Sequence, residues 1–111
     1  MYTPKLKLGE LDRVRTKYPD RIPIFITKVA KKNDTLPDIS RHKFLIPATF
    51  TYAELIYTIR KWLKLPPQHA IFVFIKNTIP SSSEFIIDLY DKYKSPDHVL
   101  RVEYTSENTF G

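Results

Sequence analysis

The chain has 111 residues, 42% hydrophobic and 27% charged, which indicates one folded domain. The absence of cysteine excludes disulfides, thiolate catalysis and cysteine-based metal sites. The sequence shows no signal peptide and no apolar run of about 18 residues, so we expect neither secretion nor a membrane span. Residues 1–66 hold 14 Lys/Arg against 6 Asp/Glu, so an acidic peptide, anionic lipid and nucleic acid are candidate partners, and a solvated basic face is the alternative.

The first 18 residues predict a helical extension. Leu11, Val14 and Tyr18 recur at the spacing of an amphipathic helix. Pro19 disfavours helical geometry at the residue before it, so the helix is expected to end at Tyr18. This extension is expected to cover part of the sheet that follows.

Two strands are predicted before the clearest helix of the chain. Residues 22–30 alternate, with isoleucines on one face and Pro23 and Phe25 on the other. Residues 31–42 are polar and predict a loop. Residues 43–47 form a short apolar run that ends in proline, which is typical of an edge strand with open backbone groups.

The helix is predicted over residues 51–63. Thr51 and Glu54 have the spacing of a capping box, in which each side chain bonds the other residue's backbone N–H. Apolar residues then recur at helical spacing up to Leu63, and the two prolines at positions 66 and 67 end the pattern.

A strand, a second helix and a last strand are predicted after it. The continuous apolar run 70–76 indicates a strand covered on both faces. Ser81 and Glu84 have capping-box spacing, so the second helix is expected to begin in the serine cluster. Residues 99–105 alternate and predict the last strand.

The order β-β-α-β-α-β predicts an α+β fold of the β-grasp type, with one sheet packed on helices. We expect this domain to cover residues 19–104. The helical extension 1–18 precedes it, and residues 105–111 follow as an aperiodic tail.

Six short stretches stand in the order and near the spacing found in one protein family. They are KYPDRIPI (17–24), KFLIP (43–47), IRK (59–61), IP-S-S (79–82), LY (89–90) and ENTFG (107–111). Over nearly the whole chain they resemble the ubiquitin-like autophagy modifiers, which are attached through a terminal glycine to phosphatidylethanolamine. The family usually has two helices before the Tyr-Pro-Asp-Arg turn. Only 17 residues precede that turn here, so the resemblance implies a shortened N-terminal helical extension.

Gly111 is the main functional candidate. Glycine has no Cβ, so its carbonyl is open to close approach in a narrow enzyme cleft. The resemblance implies that activating and transfer enzymes join Gly111 to phosphatidylethanolamine, and that a cysteine protease primes and delipidates the protein. It therefore implies a modifier that is not itself an enzyme. Such a protein is cytoplasmic until lipidation places it on autophagosome and cytoplasmic vesicle membranes.

The resemblance also implies a groove for W/F/Y-x-x-L/I/V motifs of autophagy receptors and adaptors, whose backbone would pair with strand 43–47. The aromatic pocket would contain Glu10, Val14, Pro23, Phe25, Lys43, Leu45 and Val99. The aliphatic pocket would contain Arg21, Phe44, Ile46, Pro47, Phe50, Leu55 and Thr58. Thr58 and Val99 stand where many members have leucine and phenylalanine. The alternative is that these apolar residues are simply core.

A basic α+β module that binds nucleic acid is the alternative function. It would use Arg13, Arg15, Lys17, Lys28, Lys31, Lys32 and Arg41. The aromatic residues, however, lie in apolar runs and are not interleaved with these cations as in a stacking platform. The modifier interpretation, with no nucleic-acid partner, is therefore preferred.

Metal binding and catalysis find no support in the sequence. His42, His69 and His98 lie in separate predicted loops without spaced carboxylates beside them, so they are expected to be surface residues. Trp62, near the end of the first predicted helix, is expected to serve packing.

Overall fold

The computed structural model describes residues 20–30 and 36–106. These form β1 (Arg21–Lys28), β2 (Lys43–Pro47), α1 (Tyr52–Leu63), β3 (Phe72–Phe74), α2 (Ile86–Tyr93) and β4 (Leu100–Thr105). The predicted element order is confirmed. The predicted N-terminal helix lies outside the described residues. Within the described ranges, no helix has the length and apolar character needed to cross a bilayer.

The strands form one mixed sheet in the order β2-β1-β4-β3. The two central strands, β1 and β4, run parallel, whereas β2 and β3 pair antiparallel with their neighbours. β2 therefore lies at an edge, as its terminal proline predicted. The other edge is β3, which is shorter than the predicted strand 70–76, although Val73 and Phe74 are both buried.

One face of the sheet carries the hydrophobic core. Alternation along β1 and β4 places residues with at most 1% exposure on this face: Ile22, Ile24, Ile26, Leu100, Val102 and Tyr104. The two helices add buried residues at helical spacing, namely Tyr52, Leu55, Ile59 and Leu63 from α1 and Ile86, Leu89 and Tyr90 from α2. Both helices thus cover the same side, and the opposite side carries Pro23 and Phe25.

The loop before β2 contributes to the core, which its polar composition did not predict. Leu36 and Ile39 are buried at 2% and 5% exposure. The Tyr104 hydroxyl donates to the Pro37 carbonyl at 2.8 Å, and the Lys28 ammonium donates to the Leu36 carbonyl at 3.0 Å. Two isolated apolar residues show no periodicity, so only the packed structure identifies them as core.

The capping box at the start of α1 is confirmed. The Glu54 N–H donates to the Thr51 hydroxyl oxygen at 3.2 Å, and the Thr51 N–H donates to the Glu54 carboxylate at 3.0 Å. These bonds satisfy N–H groups that an isolated first turn leaves without partners.

The capping box predicted for the second helix is wrong, because α2 begins only at Ile86, after Phe85. The Glu84 N–H donates to the backbone carbonyl of Ser81 at 3.1 Å, and not to its hydroxyl. The Ser81 N–H donates to the Glu84 carboxylate at 3.1 Å, so these residues close a separate turn. A bridge between Phe85 and Thr51 ties the chain to the start of α1 before the helix begins.

The end of α1 offers a stability test. Lys64 has φ 55° and ψ 43°, the left-handed conformation that glycine adopts without a Cβ clash. Lys64→Gly is expected to raise the free energy of unfolding by about 0.5–1 kcal/mol. Urea denaturation measures this change. Lys61→Gly, the same substitution within the helix, should lower the free energy of unfolding by about 1 kcal/mol. Equal effects at both sites would contradict the explanation.

Candidate functional site

The open edge of β2 presents backbone groups to a partner strand. The Ile26 N–H donates to the His42 carbonyl at 2.8 Å. In an antiparallel pair, bonded and non-bonded residue pairs alternate, so β2 directs the backbone groups of its even-numbered residues toward β1. Lys43 and Leu45 therefore direct their N–H and C=O groups away from the sheet. Those are the groups that an added strand would bind.

The side chains of the predicted aromatic pocket meet on the face away from the helices. Pro23 lies opposite Leu45, and Phe25 lies opposite Lys43, in the β1–β2 register. Pro23 is buried, whereas the other three side chains are partly exposed. The structure thus brings these four residues together beside the open edge. Glu10 and Val14, the other members predicted before β1, lie outside the described residues.

His42 and Arg101 both lie beside Phe25, and the sequence prediction included neither of them. The His42 ring stacks on the Phe25 ring with centroids 5.5 Å apart, and the Arg101 guanidinium lies 5.2 Å from the same centroid. Arg101 also forms an ion pair with Asp97. The alternation of β4 was the available signal, because Phe25 and Arg101 are register partners. Val99, predicted for this pocket, is half-buried directly before β4.

Three residues predicted for the aliphatic pocket lie in the core. Phe44, Ile46 and Leu55 are exposed by only 5%, 1% and 0%. In β2, alternation turns its even-numbered side chains toward α1, which covers them. These three side chains therefore belong to the core, which is the alternative that the sequence left open for them.

A groove on α1 shares Phe50 and Thr58 with the predicted aliphatic pocket. It has a volume of about 430 Å³ and is lined by Phe50, Glu54, Tyr57, Thr58, Lys61 and Trp62. The Trp62 ring stacks on Phe44 with centroids 4.0 Å apart and an interplanar angle of 11°. The packing role predicted for Trp62 is confirmed. Its place in a groove wall was missed, because the sequence does not show which neighbours α1 leaves uncovered.

The remaining members of the predicted aliphatic pocket are Arg21 and Pro47, which do not line this groove, and Thr58, which does. Arg21 and Pro47 are register partners where β1 begins and β2 ends. Both are partly buried. The Thr58 hydroxyl donates to the Glu54 carbonyl at 2.8 Å, so the helix backbone already uses its polar group. A ligand in the groove therefore meets a mainly apolar wall at this position.

The described residues contain no cluster of three or more metal-ligating side chains. His42 approaches the Ile26 carbonyl at 2.8 Å through Nδ1, while His69 and His98 stand in other loops. Burial raises the pKa of Tyr52, whose hydroxyl donates to the Val73 carbonyl at 2.5 Å. That phenol therefore serves the core as a neutral hydrogen-bond donor.

A family model described as autophagy protein Atg8, ubiquitin like, matches residues 7–111. The chain belongs to the Atg8 family of ubiquitin-like autophagy proteins. This confirms the resemblance found in the six short stretches, and the α+β ubiquitin-like fold agrees with it.

Relatives and solved structures support the same family. The chain is 44% identical over 103 residues to autophagy-related protein 8d of Arabidopsis thaliana, which covers 93% of this chain and 84% of the relative. It is similar to Plasmodium falciparum Atg8 in complex with a P. falciparum Atg3 peptide, with TM-score 0.81, 30% identity, and coverage of 96% and 98% of the two chains. Trypanosoma brucei ATG8 gives TM-score 0.81 and 36% identity, with coverage of 94% of this chain and 88% of that chain.

Membership in the Atg8 family identifies an autophagy-related ubiquitin-like modifier and does not favour the nucleic-acid alternative. Among the cations proposed for nucleic acid, Lys28 pairs with Asp38 at 3.5 Å and bonds the Leu36 carbonyl, so it serves the loop before β2. Arg41 is exposed. The other five cations, like Gly111, lie outside the described residues.

Proposed function

We propose that this Atg8-family chain is a non-enzymatic modifier joined through Gly111 to phosphatidylethanolamine. Other enzymes activate and transfer the glycine, and a cysteine protease primes and delipidates the protein. The lipid brings two acyl chains, which is what stable anchoring generally requires. The chain thus moves between the cytoplasm and autophagosome or vesicle membranes. Thr105 is the last residue of β4 and is buried, so the conjugation tail begins one residue later than predicted and covers residues 106–111.

The anchored domain binds short W/F/Y-x-x-L/I/V motifs of autophagy receptors and adaptors. The observation that carries this proposal is the position of β2 at a sheet edge, with the backbone groups of Lys43 and Leu45 directed outward. A peptide that pairs there gains affinity from main-chain bonds and specificity from pockets on both sides. The P. falciparum relative, solved in complex with an Atg3 peptide, supports a peptide-binding role.

The two pockets have different surroundings, which suits a motif with two different anchors. On the face away from the helices, Phe25 and Leu45 offer an apolar surface for the aromatic anchor. On the α1 side, Phe50, Thr58 and Trp62 line the groove for the aliphatic anchor. β2 lies between the two surfaces, because its alternating side chains point to opposite faces.

Backbone methylation of the peptide tests strand pairing directly. A W-x-x-L peptide is made with a single N-methyl group at each position in turn. An added strand directs alternate N–H groups toward β2, so methylation should weaken binding at alternate positions only. Loss of one such bond is expected to reduce affinity about threefold to tenfold, as measured by fluorescence titration.

The peptide positions that face solvent are the matched controls, because they receive the same methyl group. Equal losses at every position, or at none, would contradict strand addition. A wild-type chain that binds no W-x-x-L peptide would contradict the adaptor function, and the modifier function would be tested separately through Gly111.

A further inference from the structure

Arg101 is the one cation of β4, and it lies beside the surface proposed for the aromatic anchor. Its guanidinium carbon is 5.2 Å from the centroid of the Phe25 ring. Phe25 and Arg101 are register partners in neighbouring parallel strands, so both side chains lie on the sheet face away from the helices. The proposed anchor docks on that same face, and a bound ring therefore has this guanidinium among its surroundings.

The strand order brings the Arg101 side chain within reach of a peptide at the β2 edge. β1 lies between β2 and β4 in the sheet. Neighbouring strands are about 4.8 Å apart, so a strand added to β2 lies about 10 Å from β1. The indole ring of a peptide tryptophan extends over β2 toward β1. Arg101 extends toward β1 from the other side, since its guanidinium lies beside Phe25.

An ion pair holds the Arg101 guanidinium and leaves its planar face available. Nη2 of Arg101 pairs with Oδ2 of Asp97. The N–H groups of a guanidinium lie in its plane, so this carboxylate binds its edge. The Arg101 side chain is still 49% exposed, which leaves surface for a ligand. A cation that is already held in place loses little conformational freedom when a ring stacks on it.

The charges nearest Phe25 favour an electron-rich ligand ring. Lys43 is its register partner on the β2 side, and Arg101 is its partner on the β4 side. The Asp97 carboxylate is paired with Arg101, and Glu103 lies two residues further along β4. The face of an aromatic ring carries partial negative charge, which a cation attracts.

We propose that Arg101 determines the choice of aromatic anchor, through a cation–π contact that favours tryptophan over tyrosine and phenylalanine. This inference rests on the proposed adaptor function, and it names the preferred partners as proteins with W-x-x-L/I/V motifs. Tryptophan attracts a cation most strongly among the aromatic side chains. The guanidinium is more weakly hydrated than an ammonium group and stacks readily on aromatic faces, which suits it to this contact.

A series of W-x-x-L peptides tests the cation–π contact with the full chain. Their tryptophan carries progressively more ring fluorines, which withdraw electrons from the ring face and change its shape little. Fluorine also makes the ring more apolar, so a pocket without a cation should bind the fluorinated peptides equally well or more tightly. Calorimetric titration of wild type is expected to show affinity falling stepwise, by about threefold to tenfold across the series.

Arg101→Met keeps a long side chain and removes the cation. This variant should lose the stepwise fall, and its preference for W-x-x-L over F-x-x-L should shrink by about threefold to tenfold. Lys76→Met is the matched control, because it removes the same charge from the turn after β3, at the other edge of the sheet. It should keep the wild-type trend. Thermal unfolding shows whether both variants remain folded.

The trend across the series separates recognition from a purely structural role of Arg101. If Arg101 only stabilised the sheet, Arg101→Met would weaken all peptides equally and keep the stepwise fall. A retained fall would mean that Lys43 or His42 supplies the cation, and it would overturn the proposal. Loss of the fall in Lys76→Met as well would overturn it too, because net charge would then explain the trend.

The wild-type series alone distinguishes this inference from the proposed adaptor function. If wild type binds every peptide of the series with equal affinity, the adaptor function stands and the role of Arg101 is overturned. If wild type binds none of the peptides, the adaptor function fails and the inference fails with it.

Discussion

Gly111→Ala is expected to reduce attachment to phosphatidylethanolamine by roughly a hundredfold or more. The reacting carbonyl must enter narrow clefts of several enzymes, and an added methyl group shifts it or blocks its approach. Displacement of reacting atoms by about 1 Å can cost that much in rate. Reconstitution with activating and transfer enzymes, ATP and phosphatidylethanolamine liposomes measures the lipidated product.

Gly9→Ala provides the matched control, because Gly9 is the other glycine of the chain. This variant should be conjugated like wild type. Gly111→Ala should keep the wild-type unfolding curve and motif affinity, since we propose that its tail lies apart from the folded domain. Conjugation of Gly111→Ala at the wild-type rate would exclude this residue as the attachment point.

Leu45→Ala is expected to weaken binding of a W-x-x-L peptide by roughly fivefold to a hundredfold. The substitution removes apolar contact worth about 1–3 kcal/mol if the peptide fully buries this side chain. Leu45 is half-buried in the free chain and lies on the face away from the core, so folding should persist. Titration of a fluorescent peptide against both chains measures the loss.

Ile79→Ala is the matched control, because Ile79 is an aliphatic residue with 46% exposure outside the groove on α1. It should leave peptide affinity unchanged.

Lys43→Glu should also weaken the binding of motifs with acidic flanks, and salt should reduce its effect. If Leu45→Ala matches wild type within error, the aromatic pocket lies elsewhere.

Alternation in β2 explains how one short strand can serve both the core and the proposed peptide groove. Phe44 and Ile46 enter the core, and the residues between them face the opposite side. A shift of one residue in the pairing would exchange these two sets. The β1–β2 register is therefore a condition for the proposed groove as well as for the core.

Local patterns were sufficient for most of the secondary structure. The alternation in β1 and β4, the helical spacing in α1 and the capping box at Thr51 each arise from neighbouring residues. The proline at the end of KFLIP predicted an edge strand, and the strand order of the sheet confirms that β2 lies at an edge. The shared motifs then indicated the Atg8 family, which the family match confirms.

Tertiary structure decided the features that depend on distant segments. Leu36 and Ile39 belong to the core because the loop that carries them packs against the sheet. Helix α2 begins later than predicted because Phe85 first pairs with Thr51 in a β-bridge. Burial of Phe44 depends on the cover that α1 provides.

The element order, the edge strand and the family followed from local patterns along the chain. The stacking of Trp62 on Phe44, and of His42 and Arg101 around Phe25, required the assembled fold. Side-chain periodicity depends on neighbouring residues alone, so it indicates only which face of its own helix or strand a residue occupies. Only packing brings faces of different elements together and leaves some of them uncovered, as along α1.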